Sequence, residues 1–346
     1  MAFSFGFSGD DIDIDDSELN NEISVAPSQQ ATDNSLPELI KAKKHDMLEW
    51  LAILPSQIFY NKLPISGTPL TIARREIFDI RTQLMAEDSA GHDNEKLISG
   101  IEKGDITPNF YEGGFKTWEC ALDLAKLALD EEILNENPDS PVDVHIIELG
   151  AGTAVPSLTL FARLLSQVKP DVLRLVTLPN LLLTWHNARS QSTESANPSA
   201  PDQEEEMDIT PELVQEFVND LAQRGIFIEF ISGAWSPEFV DLVFSSSDSG
   251  RKTLVLASET IYSPASLMAF SETLLALLRR SNTASARSRA LVAAKKVYFG
   301  VGGGVDEFLA VLGQLCANEL DVQHKLNVQS EGVGRVVLEV VPSTAP

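Results

Sequence analysis

Two glycine-bearing segments and one acid–aromatic pair carry the residue types that could do chemistry. The first is Val144-His145-Ile146-Ile147-Glu148-Leu149-Gly150-Ala151-Gly152-Thr153. An apolar run of strand length ends in an acid, then two alternate glycines, then a helix opening near Pro156. Glycine lets the main chain turn sharply and approach a ligand where a Cβ would collide. Helix-opening amides add a field that favours a polar or anionic group. A dinucleotide fingerprint would want a third glycine at position 155, which is Val155. The loop therefore suits a nucleotide-type ligand without a pyrophosphate; a glycine turn that binds nothing is the alternative.

The second segment is Ala257-Ser258-Glu259-Thr260-Ile261-Tyr262-Ser263-Pro264, just past a strand, where open α/β sheets place their ligands. Glu259 and Tyr262 could orient a nucleophile or accept its proton. Alternatively, Glu259 caps the next helix and Tyr262 packs. The third, Phe299-Gly300-Val301-Gly302-Gly303-Gly304, also follows a strand and reads either as a substrate-contacting lid or as a tight connection. No Lys-Ser/Thr pair follows it, so it is not a phosphate loop. Trp118 beside Glu119, and Trp235 after Gly233, are either pocket-lining aromatics or core.

Strand and helix signals alternate around these segments. Helices are expected over 116–129, 157–168, 172–188, 211–223, 265–280 and 305–316. Strands are expected over 144–149, 226–231, 253–257 and 290–298, and two more, 322–328 and 335–341, suggest a closing antiparallel hairpin. Such alternation implies an α/β fold with a mostly parallel sheet covered on both faces. Residues 113–346 form the main domain, with a polar loop or insertion near 189–210. Residues 36–112 read as an extension packed on it, with a helix over 72–85 presenting Ile77, Phe78, Ile80 and Leu84. Residues 1–35 carry eight acids and no base, a composition of disorder. Phe3, Phe5 and Phe7 there form either a docking motif or an idle apolar tail.

The chain has 346 residues and a net charge of -25, from 51 acidic and 26 basic side chains. Phosphate neutralisation needs clustered Lys and Arg, so no direct nucleic-acid binding is expected. The acidity either keeps the chain soluble or draws in a basic protein. Cys120 and Cys316 are far apart in sequence, and His45, His92, His145, His186 and His324 show no ligand spacing, so neither disulfide nor metal is expected. No run approaches a membrane span and no secretory signal opens the chain, which points to the cytoplasm or nucleus. The chain is expected to act as a monomer.

Beyond these readings, Tyr111-Glu112-Gly113-Gly114-Phe115-Lys116-Thr117-Trp118-Glu119-Cys120 resembles the opening of the histidine protein methyltransferases, the fungal and animal proteins related to methyltransferase-like eighteen. The likeness continues through Glu148–Gly152, Leu175–Asn180, Ile231–Trp235, Ser258–Tyr262 and Ala294–Gly304. Even Phe3–Phe7 and Arg75–Asp79 resemble fungal members. The resemblance implies a class I, Rossmann-like fold. It also implies methyl transfer from S-adenosylmethionine to a histidine nitrogen, with a large-subunit ribosomal protein as substrate. It assigns Thr117, Trp118, Glu119, Cys120, Ala121, Glu148, Gly150, Gly152, Gly233, Ala234, Trp235 and Ser258 to the cofactor pocket. Glu259 takes the orienting role, with Tyr262 beside it. An acid-x-x-aromatic motif also suits a lysine acceptor.

One departure stands out. Family members carry a second strand ending in the acid that binds the cofactor's ribose, where this chain has Gln167, Val168 and Lys169. A helix, a strand and a turn barely fit between the glycine loop and Asp171, so the second strand is expected to be missing. The alternatives are a clipped gene model or splice variant, an enzyme using Asp171 for the ribose, and a non-catalytic ribosome-assembly protein that keeps the fold.

Overall fold

The computed structural model describes residues 40–89, 94–103, 113–130, 144–165, 177–193, 205–246, 251–282, 288–300, 302–316, 319–329 and 333–343. In chain order the elements are β1 (Lys43–His45), α1 (Met47–Leu51), β2 (Gln57–Pro64), β3 (Thr71–Arg75), α2 (Ile77–Ser89), α3 (Glu95–Lys103) and α4 (Glu119–Asp130). There follow β4 (Val144–Leu149), α5 (Val155–Leu165), α6 (Thr177–Thr193), β5 (Glu205–Asp208), α7 (Pro211–Gln223), β6 (Phe230–Ser232) and α8 (Pro237–Val243). The chain continues through β7 (Lys252–Ser258), α9 (Pro264–Ser281), β8 (Ser288–Lys295), α10 (Val305–Leu315), β9 (Leu320–Val328) and β10 (Arg335–Pro342).

The central sheet has the order β4-β7-β8-β10-β9. The pairs β4–β7 and β7–β8 are parallel, whereas β10 runs antiparallel to β8 and β9. The protein is therefore a mixed α/β structure whose strands mostly point one way, with an antiparallel pair at its carboxyl end. Strand alternation explains why both faces must be covered. Val255, Ala257, Val292 and Ala294 join Phe270, Leu274 and Phe308 in one core, beside α9 and α10. Their neighbours Leu254, Leu256, Leu291 and Ala293 join Cys120, Leu124 and Leu160 on the other face. These long apolar runs align the carboxyl ends of β4 and β7 side by side, with Leu149 opposite Ala257.

Residues before α4 build the second layer of contacts. β2, β3 and β5 form a three-stranded antiparallel sheet in the order β3-β2-β5, and β1 pairs antiparallel with β6. This corrects three expectations. The helix expected over 72–85 begins only at Ile77, because Thr71 to Arg75 pair with β2 instead. Ile80 and Leu84 are buried on α2 as expected, but Phe78 is 45% exposed. The polar stretch near 189–210 is partly regular: α6 runs to Thr193, and β5 is held by its pairing with β2 and by buried Met207. The strand expected over 226–231 is confined to Phe230–Ser232 and lies beside β1, outside the central sheet. The tail over 1–35, with its three phenylalanines, lies outside the described residues. So does the 166–176 segment, where the second strand was expected to be missing. Among the described residues β4 pairs with β7 alone.

The extension carries a buried ion pair. Arg75, on β3, is 1% exposed; its Nε donates to Asp79 one helical turn on, and its Nη1 donates to Gln83 Oε1 at 2.8 Å. Burial pulls the guanidinium pKa below its ordinary value, with Asp79 opposing that pull. Removing one member of such a pair strands a desolvated charge. Asp79→Ala is expected to lower the urea-unfolding free energy by about 3–5 kcal/mol. A loss below about 1 kcal/mol would show that the pair behaves like one at the surface.

Candidate active site

The glycine loop leaves β4 at Gly150, whose φ of 65° lies in the left-handed region. A Cβ there would stand 2.9 Å from Thr260 Cγ2 and 3.9 Å from the Trp235 ring, so glycine is required on both counts. The loop is held by its carbonyls. Thr177 Oγ1 donates to Gly152 O at 2.9 Å, and Asn180 Nδ2 donates to Thr153 O at 3.2 Å. Asn180 Oδ1 in turn accepts the Arg75 amide at 2.7 Å, which ties the loop to β3. Thr117 Oγ1 donates to Thr153 Oγ1 at 3.0 Å and accepts from Arg74 Nη1 at 3.3 Å. Gly114 packs backbone to backbone on Gly152, and Trp118 Nε1 donates to Gly113 O at 3.1 Å. The turn before α4 is thereby pressed against the loop after β4.

Buried polar atoms with no hydrogen-bond partner among the described residues include Glu148 Oε1 and Thr260 Oγ1 beside this loop and Glu259 Oε1 on the turn after β7. Buried polar atoms are normally paired, so orphans beside a glycine cradle fit a ligand rich in polar groups. Glu148 Oε2 accepts the Ser157 amide from the first turn of α5 at 3.0 Å. Burial pushes the Glu148 carboxyl up to about 7, against the lowering effect of its Ser157 hydrogen bonds. Such a group is poised to respond to a donor or a cation placed beside it.

Glu259 follows β7 with a φ of 56°, a conformation rare for a residue with a side chain. Its amide donates to Ala293 O at 2.9 Å, and its side chain is 9% exposed. Lys295 Nζ stands 3.6 Å from Glu259 Oε1 and 3.1 Å from Glu119 Oε2. The same ammonium lies 5.0 Å from the Trp118 ring centroid, and Lys116 lies 4.9 Å from it. Burial, then Glu259, raises the pKa values of the Cys120 thiol and the Tyr298 hydroxyl, so both remain protonated beside the acid. Burial works against the Lys295 charge, but Glu259 and Glu119 outweigh it and raise its pKa.

The structure distributes the remaining expected residues over the site, the cores and the segment before β1. Glu259 does not cap α9, whose N-cap position is Ser263. The Tyr262 ring meets Tyr298 edge-on at 6.2 Å, next to the acid. Ser258 closes β7 beside Glu259, and Trp235 stands edge-on to Phe270 at 5.1 Å while reaching Gly150. Gly233 and Ala234 face the segment before β1, where Ala234 N donates to Ile40 O at 2.8 Å. Cys120 and Ala121 are buried in the cores flanking α4. The glycine segment after β8 is a tight turn: Val297 bridges Gly304, Tyr298 N donates to Gly303 O, and Gly303 sits against the Tyr262 carbonyl too closely for any Cβ. Residues not singled out from the sequence also belong here, namely Thr153, Thr177, Asn180, Thr260, Lys295 and Tyr298. Their types are common in any core or loop, and only the fold brings them to one place.

The arrangement defines an α/β protein with a glycine loop at the carboxyl ends of adjacent parallel strands. No family model matches the chain. It is 34% identical to histidine protein methyltransferase 1 of Schizosaccharomyces pombe, over 97% of this chain and 92% of that protein. It is 32% identical to histidine protein methyltransferase 1 of Saccharomyces cerevisiae over 90% of each. A homolog from Rattus norvegicus is 30% identical over 68% of this chain and 58% of its own length. The chain belongs to the histidine protein methyltransferase 1 family. Among the described residues no helix is long and apolar enough to cross a membrane, and no group of His, Cys, Asp and Glu could hold a metal ion.

The raised Glu148 pKa has a signed consequence. Between about 4.5 and about 7 the folded chain holds a proton on Glu148 that the unfolded chain has released. That contribution favours the folded state at the acid end of the window and is lost as pH rises through about 7. The melting temperature of the wild type relative to Glu148→Gln is therefore expected to fall across this window. A difference independent of pH would contradict the assignment.

Proposed function

We propose that the chain is an S-adenosylmethionine-dependent protein-histidine N-methyltransferase on a class I, Rossmann-like sheet. The substrate class is a basic protein, a large-subunit ribosomal protein by the resemblance, and the chain's net charge of -25 suits such a partner. The observation that carries the reading is the set of orphaned polar atoms, Glu148 Oε1 and Thr260 Oγ1 beside a glycine cradle and Glu259 Oε1 on the turn after β7. The parallel run β4, β7, β8 closed by antiparallel β10 supports the fold assignment. The names of the relatives support histidine as the acceptor.

Bound in this cradle, S-adenosylmethionine would supply an electrophilic methyl group on sulfur. The glycine loop, Thr260 and Trp235 would hold its nucleoside and amino-acid parts, with Glu148 offering a buried acceptor. A target imidazole is largely neutral near pH 7, so it needs orientation more than activation. Glu259 Oε1 would accept one ring N–H and leave the lone pair of the other nitrogen aimed at the methyl carbon. Methylation of one ring nitrogen would leave an imidazolium, whose N–H proton, held at Glu259, would pass to Glu259 or water. Holding the two reactants in line can remove roughly 7–11 kcal/mol of the barrier.

The chain, incubated with methyl-labelled cofactor and a ribosomal protein extract and then hydrolysed to amino acids, is expected to yield methylhistidine. Glu259→Gln is expected to lower that yield by about 100-fold. Label recovered as methyl-lysine would overturn the acceptor assignment, and full activity of Glu259→Gln would overturn the role of the acid.

A further inference from the structure

We infer that Lys295 is a positioning residue for Glu259, a shared cation that fixes the orientation of the acid toward its substrate. The inference deepens the methyltransferase reading and rests on it. The Glu259 carboxylate lies against the Cys120 thiol and the Tyr298 hydroxyl, neutral groups that hold it without balancing its charge. The Glu259 main chain is in the left-handed region, its side chain is almost fully buried, and Oε1 has no hydrogen-bond donor among the described residues. A carboxylate in such surroundings is costly unless a counter-charge faces it. Among the described residues Lys295 is the cation that reaches it, at 3.6 Å. That distance is an ion pair without a hydrogen bond, so Lys295 balances the charge while leaving the Oε1 lone pairs for an incoming N–H.

What keeps Lys295 at this distance lies on its other side. Its ammonium is 3.1 Å from Glu119 Oε2, and the Trp118 ring lies 5.0 Å away. Lys295 ends β8, Glu119 opens α4 and Glu259 follows β7, so one ammonium links three segments that the strand order brings to one sheet edge. Lys295 is shared by Glu119 and Glu259, and Arg335 acts on Glu119 as well. The Glu259 carboxylate would face the place where an acceptor ring becomes cationic on methylation, and a negative group there favours the transition state over the neutral ground state. With lysine removed, the two acids repel and Glu259 turns away, so it no longer accepts the ring N–H. With arginine, the charge and the bridge to Glu119 are retained.

The test compares wild type, Lys295→Met, Lys295→Arg, Glu259→Gln and the Lys295→Met/Glu259→Gln double variant, with S-adenosylmethionine and the protein substrate. Lys295→Met is expected to lower kcat by roughly 10- to 100-fold, with KM for S-adenosylmethionine within about twofold. Lys295→Arg should recover kcat to within about threefold. Because the two residues act as one unit, adding Lys295→Met to Glu259→Gln should cost less than about threefold more. A wild-type kcat in Lys295→Met, or losses that multiply in the double variant, would overturn the inference. So would a KM for S-adenosylmethionine that rises in step with the fall in kcat, since that marks a general loss of structure. A wild type that forms no methylhistidine would instead sink the methyltransferase reading, and this inference with it.

Discussion

A loop of Gly150, Ala151 and Gly152 offers almost no side chain by which to be gripped, so its shape must be imposed through its main chain. In this protein the imposition is made by two hydrogen bonds from α6, Thr177 to Gly152 O and Asn180 to Thr153 O. Each bond contributes modestly on its own, about 0.5–1.5 kcal/mol. Their larger effect is geometric, because they hold a left-handed turn in one conformation and leave its inner face clear. Asn180 also accepts the Arg75 amide, so β3 and the glycine loop share one amide group. The residues before α4 are thus part of the site's framework. Arg74 reinforces the point by reaching Thr117, which bonds Thr153.

The same loop organises what faces it across the sheet edge. Thr260 packs on Gly150, which places Glu259 one residue away from the cradle. The left-handed backbone at Glu259 turns its carboxylate back toward α4 and β8, where Cys120, Lys295 and Tyr298 wait. Strain of this kind, on the order of 1–3 kcal/mol, persists where the surroundings over-determine it. Here they do: the Glu259 amide is fixed to Ala293, and Gly303 is wedged against the Tyr262 carbonyl. Gly303, after β8, thus lets two turns touch.

Much of this was legible in the chain itself. The β4, β7 and β8 strands follow from apolar runs, ended by glycine segments after β4 and β8, because a strand buried on both faces has no room for polar residues. The terminal pair β9 and β10 was equally plain. The extension was harder. Thr71 to Arg75 carry a helix-compatible pattern with Ile77 to Leu84, and only pairing with β2 makes them a strand. Phe230 to Ser232 looked like a sheet strand, yet residues 43–45, distant in sequence, claimed its edge. In the site, Glu148, Gly150, Gly152, Glu259 and Tyr262 were visible because acid and glycine interrupt apolar runs. Lys295, Thr177 and Asn180 were not visible as site residues, since their partners lie between 25 and 176 positions away.

We propose that the cradle formed by Gly150, Gly152 and Thr260, held in shape by Thr177 and Asn180, seats S-adenosylmethionine. Calorimetric titration of the demethylated product of that cofactor into the full chain tests it most directly. One molecule should bind per chain with micromolar affinity, and Asn180→Ala should weaken binding by about tenfold. Absence of binding to the wild-type chain, or binding that Asn180→Ala leaves unchanged, would contradict it.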